Sequence, residues 1–358
     1  MKRTLFTSLF ASILVLVVIL GITTGQAFGA KKVILKVAAS VPTSIAGIGY
    51  VDFANAVKAA SDGSIIIKIH EPGELVAPFE ILDAASTGKI DAGFSSSGYW
   101  QAKIPVAAFF CAVPFGPEAP EYLAWLYHGN GMKLYQEMYD KWGYNVKVLP
   151  FSILSPESSG WFRTPIKSVE DLKGLRMRFL GLGGLAMEKL GVSVTVLPAG
   201  EILPALEKKS IEATEFSTPA LDQLFGFYKV LKYNYYPGWH QQATVNELLI
   251  NRDTWKGMTP SQQALIEMAC MANVTNTLAY NEAVQGKVIK DNIEKRGVTT
   301  MVWSDEMLDA FKKAWMEVVE ENCAKDPFFK KVWEDLSAFR AEYAYWSKLG
   351  FLPRPKAR

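Results

Sequence analysis

The short basic segment Arg176-Met177-Arg178 runs into a glycine-rich turn, Gly181-Leu-Gly183-Gly184. If it is a strand, alternation puts Arg176 and Arg178 on one face and Met177 on the other. A guanidinium at a strand end beside a cleft presents a planar fork that matches a carboxylate. The competing reading is a surface arginine in an ion pair. Acidic residues gather in the same part of the chain, with Glu157 beside Trp161, and Glu212 and Glu215 around the segment Ile211 to Phe216. Two convergent carboxylates and a backbone carbonyl suit a hard, oxygen-seeking cation; solvated surface carboxylates are the alternative. Aromatic residues cluster at Tyr99-Trp100, at Tyr233 to Tyr236 and at Trp239. Most aromatics of this kind belong to a core, but Tyr99 and Trp100 follow Ser95-Ser-Ser-Gly98 at a strand end, a position at the mouth of a cleft.

The elements that must position these groups alternate between strand and helix. Val33 to Ala39, Ile65 to Ile69 and Ile90 to Phe94 read as strands, separated by helical patterns over Gly47 to Ala60 and Pro78 to Thr87. A helical stretch from Pro120 to Trp142 and a strand from Val146 to Phe151 follow. The pattern restarts with strand Arg176 to Leu180, helix Gly184 to Leu190, strand Val192 to Leu197, helix Ile202 to Lys208, strand Ile211 to Phe216, helix Ala220 to Leu231 and strand Glu247 to Asn251. Such alternation predicts βαβ units, a mainly parallel sheet and an α/β fold. Long helices are expected over Thr259 to Arg296 and Ser304 to Leu349, the second broken near Asp326-Pro327. Residues 30–150 then form mainly a first lobe, 151–250 mainly a second, and 251–358 a crossover segment with the C-terminal helices. An internal echo, Gly73-Glu-Leu with Gly88-Lys-Ile-Asp-Ala against Gly200-Glu-Ile with Ser210-Ile-Glu-Ala, repeats the strand–helix–strand logic in each half. Two similar lobes make a cleft, a preferred place for a ligand.

The 358 residues carry 38 Lys and Arg against 36 Asp and Glu, with 49% hydrophobic residues. Met1-Lys-Arg, the apolar run Leu5 to Ile22 and the small residues Ala27, Gly29 and Ala30 read as a signal peptide of 29 residues, an uncleaved anchor helix being the alternative. Cutting there removes Lys2 and Arg3 and no acid, leaving a neutral chain. Neutrality excludes a broad field for nucleic acid or an anionic membrane, so an anionic partner must be held by a local site. Cys111, Cys270 and Cys323 form no CxxC pair and read as small buried residues.

Enzyme motifs fail in turn. Gly181-Leu-Gly183-Gly-Leu-Ala186 imitates a dinucleotide fingerprint, but the next strand ends Thr195-Val-Leu-Pro198 without the acid that binds ribose. The glycines fit a tight turn that lets a ligand approach closely. His70, His128 and His240 lack metal-ligand spacing, and no G-x-S-x-G or phosphate loop occurs.

The chain resembles the solute-binding proteins of tripartite ATP-independent periplasmic (TRAP) transporters, most of all the α-keto acid and lactate branch. The motifs that carry the resemblance are Gly73-Glu-Leu-Val, Gly88-Lys-Ile-Asp-Ala, Pro120-Glu-Tyr-Leu-Ala-Trp-Leu-Tyr, Gly160-Trp-Phe-Arg, Leu172-Lys-Gly-Leu-Arg-Met-Arg, Gly200-Glu-Ile-Leu-Pro-Ala-Leu, Glu212-Ala-Thr-Glu-Phe and Tyr236-Pro-Gly-Trp-His. They span nearly the whole mature chain. The resemblance implies a two-lobed α/β binding-protein fold with a central cleft and long lobe-spanning and C-terminal helices. It places the substrate-binding arginine at Arg178, beside Glu157 and Phe216. From their clustering near the strand end, Tyr99, Trp100 and Trp239 are expected to enclose the aliphatic tail of the ligand with the wall around Phe216. It further implies a metal ion, calcium or sodium, held by Glu157, Glu215 and the Phe216 carbonyl, and no organic cofactor. Two positions depart from the family pattern: Glu157 stands where glutamine is usual and Phe216 where tryptophan is usual. The added charge at Glu157 favours calcium over sodium. The implied partners are a small organic acid, membrane permease subunits and a second copy of the chain through the C-terminal helices.

Three functions fit these observations: a TRAP-type carrier of small monocarboxylates in the periplasm, a ligand-binding protein of another transport or sensory system, and a secreted α/β enzyme using Glu157 and Glu215. The arginine strand with its glycine turn favours the first.

Overall fold

A computed structural model describes residues 32–352, the side chains of 46–48 excepted. The expected signal peptide lies outside the described residues. Among the described residues no helix is long and apolar enough to cross a membrane.

Eleven strands form two sheets among the described residues. The first holds β1 (Val33–Ala39), β2 (Ile65–His70), β3 (Ala92–Ser95), β4 (Val146–Leu154) and β10 (Thr244–Asn251), in the order β2-β1-β3-β10-β4. The second holds β5 (Gly160–Phe162), β6 (Arg176–Arg178), β7 (Ser193–Thr195), β8 (Ala213–Thr214), β9 (Tyr233–Tyr236) and β11 (Thr299–Val302), in the order β11-β9-β5-β8-β6-β7. The sheets are mixed rather than mainly parallel. β10 pairs antiparallel with both β3 and β4, and β5 pairs antiparallel with β8 and β9. An antiparallel strand needs no helical crossover, so strand–helix alternation could not announce it. β10 also carries the chain back into the first sheet, so the lobe boundary expected at residue 250 falls inside one of its strands.

The apolar runs of β1, β3, β4 and β10 are buried against helices on either side. Tyr50, from helix Thr43–Ala60, stacks on Phe94 of β3 with ring centroids 4.6 Å apart, and Phe94 stacks on Phe151 of β4 at 4.4 Å. The stretch expected as one helix from Pro120 to Trp142 is two, Ala119–His128 and Gly131–Lys141. Gly129 and Gly131 fold back onto the first helix so tightly that an added Cβ would lie 2.7 Å from the Trp125 carbonyl oxygen and the Leu126 Cα respectively.

Helix Pro260–Arg296 starts at a capping box between Thr259 and Gln262. It packs on β4 of the first sheet and on helix Pro219–Phe225, which follows the second sheet's β8. Helix Asp305–Lys325 lies on Gly181–Lys189 and on the C-terminal helix Pro327–Gly350. The break between these last two is where the sequence puts it. Asp326 caps the new helix by accepting from Phe328 N at 2.8 Å, and Pro327 occupies a first-turn position that needs no donor.

One buried charge lies inside the first sheet. Glu247, in the middle of β10 beside a register shift, is fully buried. It accepts from Trp100 Nε1 at 2.7 Å and from the Tyr135 and Tyr139 hydroxyls, pinning β10 to helix Gly131–Lys141. Burial pushes its carboxyl up to about 7 against these three donors.

Candidate functional site

A strand end and three loops of the two sheets bring four ionisable side chains together, and two of them, Arg178 and Glu157, line a cavity. Arg178 ends β6, Glu215 follows β8, Glu157 lies in the loop from β4 to β5, and His240 lies in the loop from β9 to β10. All four are at most 2% exposed. Charges this buried survive only when paired.

Arg178 Nη1 donates to the backbone carbonyl of Glu215 at 2.7 Å and to its Oε2 at 2.8 Å, while Nε donates to the Leu197 carbonyl at 3.3 Å. The Phe216 ring lies 5.2 Å from the guanidinium carbon, within cation–π range. Nη2 has no partner among the described residues. A single nitrogen, rather than the two-pronged fork expected from sequence, is therefore left for a ligand. The structure spends the rest of the guanidinium on holding it in place.

Glu215 accepts from Leu180 N at 2.9 Å through Oε2, and its Oε1 is unpartnered. Burial drives this carboxyl upward, but Arg178 leads the opposing influences and holds it below the usual range. Glu157 accepts from Thr244 Oγ1 at 2.7 Å through Oε1, and its Oε2 is unpartnered. Burial, opposed by His240 and reinforced by Glu215, pushes Glu157 up to about 7. His240 Nε2 stands 3.7 Å from Glu157 Oε2 and 3.6 Å from Glu215 Oε1. Those are ion-pair separations, longer than a hydrogen bond. Burial pulls the imidazole down, yet the two carboxylates outweigh it and raise His240 to about 9.

Ligand atoms of Glu157, Glu215 and His240 all lie within 4.8 Å of one another. Two buried carboxylate oxygens without donors, turned toward one spot, are what a hard cation requires. The donor set therefore fits a metal ion.

Backbone packing fixes these loops. Glu157 N donates to the Gln241 carbonyl at 3.1 Å, and Ser159 N to that of Tyr235 at 2.7 Å. Gly238 lies so close that a Cβ there would stand 2.1 Å from the Glu157 carbonyl oxygen. Buried Asp222 accepts from Trp161 Nε1 at 2.8 Å, Ser158 Oγ at 3.1 Å and Ser217 N at 3.0 Å, joining the segments that carry Glu157 and Glu215. At the glycine turn, a Cβ on Gly183 would stand 2.7 Å from both His240 Cβ and Phe179 Cε1. That glycine admits the protein's own histidine.

Glu157, Arg178, Phe216 and Tyr99 line the cavity. Trp100 and Trp239, expected around the ligand, do not. Trp100 is fully buried and spends its indole N–H on Glu247. Trp239 is 2% exposed and stacks on Phe311 at 4.6 Å, beneath helix Asp305–Lys325. Each carries enough apolar area to be drawn into the core instead. Glu212 also lies apart, in an exposed ion pair with Arg176 at 3.3 Å. Sequence reasoning missed His240, Thr244 and Asp222. The first was within reach, because it closes the Tyr236-Pro-Gly-Trp-His segment. A search for ligands spaced along one helix passes over a trio drawn from three separate loops.

Two mixed sheets, a long helix packed on the first sheet and on the helix that follows β8, and a buried charged cavity define a two-lobed α/β solute-binding protein. The chain belongs to the DctP family, bacterial extracellular solute-binding protein family 7, which matches residues 38–326. The monocarboxylate 2-oxoacid-binding periplasmic protein of Nostoc sp. is 36% identical over 306 residues, covering 85% of this chain and 83% of that one. A TRAP transporter solute binding protein from Bordetella bronchiseptica, a mixed-occupancy dimer with copurified calcium and picolinate in its active site, superposes with a TM-score of 0.86 at 31% identity over 89% of this chain and 94% of the other. A TRAP periplasmic solute binding protein from Pseudoalteromonas atlantica, with bound sodium and pyruvate, gives 0.85 at 31% identity over 89% and 97%. The TRAP carrier class read from the sequence motifs therefore stands, ahead of the sensory and enzymatic alternatives.

Proposed function

We propose that the protein captures a small monocarboxylate, a 2-oxo or 2-hydroxy acid such as pyruvate or lactate, outside the cytoplasm and delivers it unaltered to the membrane permease of a TRAP transporter. The observation that carries this reading is the unpartnered Nη2 of a fully buried arginine lining a cavity. A carboxylate there gains a charge-assisted hydrogen bond in a site already emptied of competing partners. Glu157 Oε2, Glu215 Oε1 and the Phe216 carbonyl would hold a calcium or sodium ion, which supplies positive charge for the second substrate oxygen. Tyr99 and Phe216 wall the site. The relatives' bound acids and metals support this assignment. Export by the leader of 29 residues and a homodimer through the C-terminal helix belong to the same reading; Tyr345, Trp346 and Leu349, exposed near the end of that helix, favour the latter.

Native mass spectrometry of gently purified protein tests it. A co-purified 2-oxo or 2-hydroxy acid with one metal ion, recovered chemically unchanged after incubation, is the expected result. Conversion of the acid to a product, or no binding by any acid of a 2-oxo and 2-hydroxy panel, overturns the reading.

A further inference from the structure

Asp222, in helix Pro219–Phe225, is fully buried and uses both oxygens of its carboxyl group. Oδ2 accepts from Ser158 Oγ and Trp161 Nε1, and Oδ1 accepts from Ser217 N. Its donors adjoin the oxygens read above as cation ligands. Ser158 follows Glu157, and Ser217 follows Glu215 and Phe216. Ser217 N and the Phe216 carbonyl belong to one peptide plane, and in a trans peptide the C=O points opposite to the N–H. Anchoring Ser217 N on Asp222 therefore aims the Phe216 carbonyl away from Asp222, and a peptide whose N–H is bonded to a carboxylate offers a more polarised oxygen. The two segments are also tied directly, because Ser158 N donates to the Ser217 carbonyl at 3.3 Å.

Asp222 is itself held in place. Thr218 Oγ1 donates to Asn281 Oδ1 at 3.4 Å, Ala220 N to Gln285 Oε1 at 2.9 Å and Gln223 Nε2 to Asn292 Oδ1 at 3.1 Å, which binds its short helix to the long helix Pro260–Arg296. Cation donors carried on loops need such support, since their spacing must be kept against mutual repulsion before an ion arrives. Glu157 Oε2 and Glu215 Oε1, both buried and without donors, carry that repulsion here. We infer that Asp222 is the positioning residue of the cation site, orienting the Phe216 carbonyl and holding the Glu157 segment, so that it sets how tightly a cation is held and how many protein oxygens reach it. The inference rests on the metal reading of Glu157, Glu215 and Phe216 and adds the group that arranges them.

Calcium titration calorimetry and terbium luminescence on the chelator-treated protein test it. Terbium is an oxygen-seeking ion of about calcium's size, and its lifetimes in light and heavy water count the waters left in its shell. Asp222→Asn keeps the volume but offers one acceptor oxygen where the carboxyl group uses two. Calcium affinity should fall about tenfold to about a hundredfold, and about one more water should stand on bound terbium. Ser158→Ala removes only the contact on the Glu157 side and should cost about tenfold at most. A merely structural Asp222 would lower the melting temperature and leave the water count as it was. Unchanged calcium affinity in the folded variants, or weakened affinity with an unchanged water count, overturns the positioning role. Should Asp222→Asn fail to fold, Ser158→Ala decides by the same two readouts. Binding of neither calcium nor terbium by the unaltered protein overturns the metal reading itself.

Discussion

Replacing Arg178 by lysine keeps the charge and removes the geometry. In the native site Nη1 serves two Glu215 oxygens, Nε serves Leu197, and Nη2 stays open. A lysine has one nitrogen, and the Glu215 carboxylate and carbonyl that held Nη1 will claim it. The ligand then loses one hydrogen bond to a charged donor, about 1.5–3 kcal/mol, which is about tenfold to about 150-fold in affinity. Glu215 meanwhile keeps a cationic partner, so the fold is spared the ~3–5 kcal/mol cost of a buried carboxylate abandoned by its pair. Arg178→Met incurs that cost in full and should lower the melting temperature by several degrees, which separates loss of binding from loss of fold. Calorimetric titration with a 2-oxo acid and melting curves followed by circular dichroism give the two readouts. An Arg178→Lys protein that melts normally and binds the acid within threefold of the unaltered protein would refute the carboxylate assignment.

Three further outcomes follow from the same geometry. Gly238→Ala puts a Cβ where the Glu157 carbonyl stands, 2.1 Å away; displacing backbone should cost at least the ~1–3 kcal/mol of ordinary overpacking, seen as a lowered denaturation midpoint together with weakened ligand binding. Glu247, raised from 4.5 to about 7, holds its proton more tightly in the folded state, so its contribution to stability is fully present below about pH 4.5 and lost as pH rises through 7. In Glu247→Gln, the unfolding free energy from urea titrations, relative to the unaltered protein, should therefore improve between pH 5 and pH 8 by on the order of 3 kcal/mol; a constant difference across that range would remove the argument. Glu157→Gln takes one negative charge from the cation donors and should move the calcium-to-sodium preference at least tenfold toward sodium, measured by competitive titration of chelator-treated protein.

The parts of the fold legible in sequence are those whose signal is local. The buried run of β1, the caps of helix Pro260–Arg296 and the Asp326-Pro327 break each state their conformation within a few residues. β5, β9 and β11 escape because strands of three or four residues are too short for alternation to register, and because Tyr233 to Tyr236 reads equally well as a cluster of core aromatics. The site divides in the same way. Arg178 stands out as a basic residue at a strand end, whereas Glu157, Glu215 and His240 share no spacing because the sheets, and not the chain order, bring them together. Trp100 and Trp239 show the opposite error. Trp100 adjoins the wall residue Tyr99 and Trp239 stands two residues from Gln241, but a side chain so placed can point into either cavity or core, and a large ring is stabilised more by the core.

The same arrangement bears on why one carboxylate, and not two, suits this cavity. The Arg178 guanidinium has a single open nitrogen, and its orientation is settled before any ligand arrives by Glu215, Leu197 and Phe216. Binding therefore spends little on ordering the arginine, which favours affinity for a small anion. A second carboxylate on the same ligand would meet either the unpartnered oxygens of Glu157 and Glu215 or the apolar faces of Leu221 and Phe225. Near the first it must displace the substrate's second oxygen from the proposed cation. Against the second it is buried without a donor, at an effective cost of several kcal/mol. A micromolar ligand has about 8 kcal/mol of binding free energy in all, so either placement forfeits a large share of it. Weaker binding of a dicarboxylate than of the matching monocarboxylate is therefore the expected result of a calorimetric comparison, and the gap should narrow in any variant that frees Nη1 from Glu215.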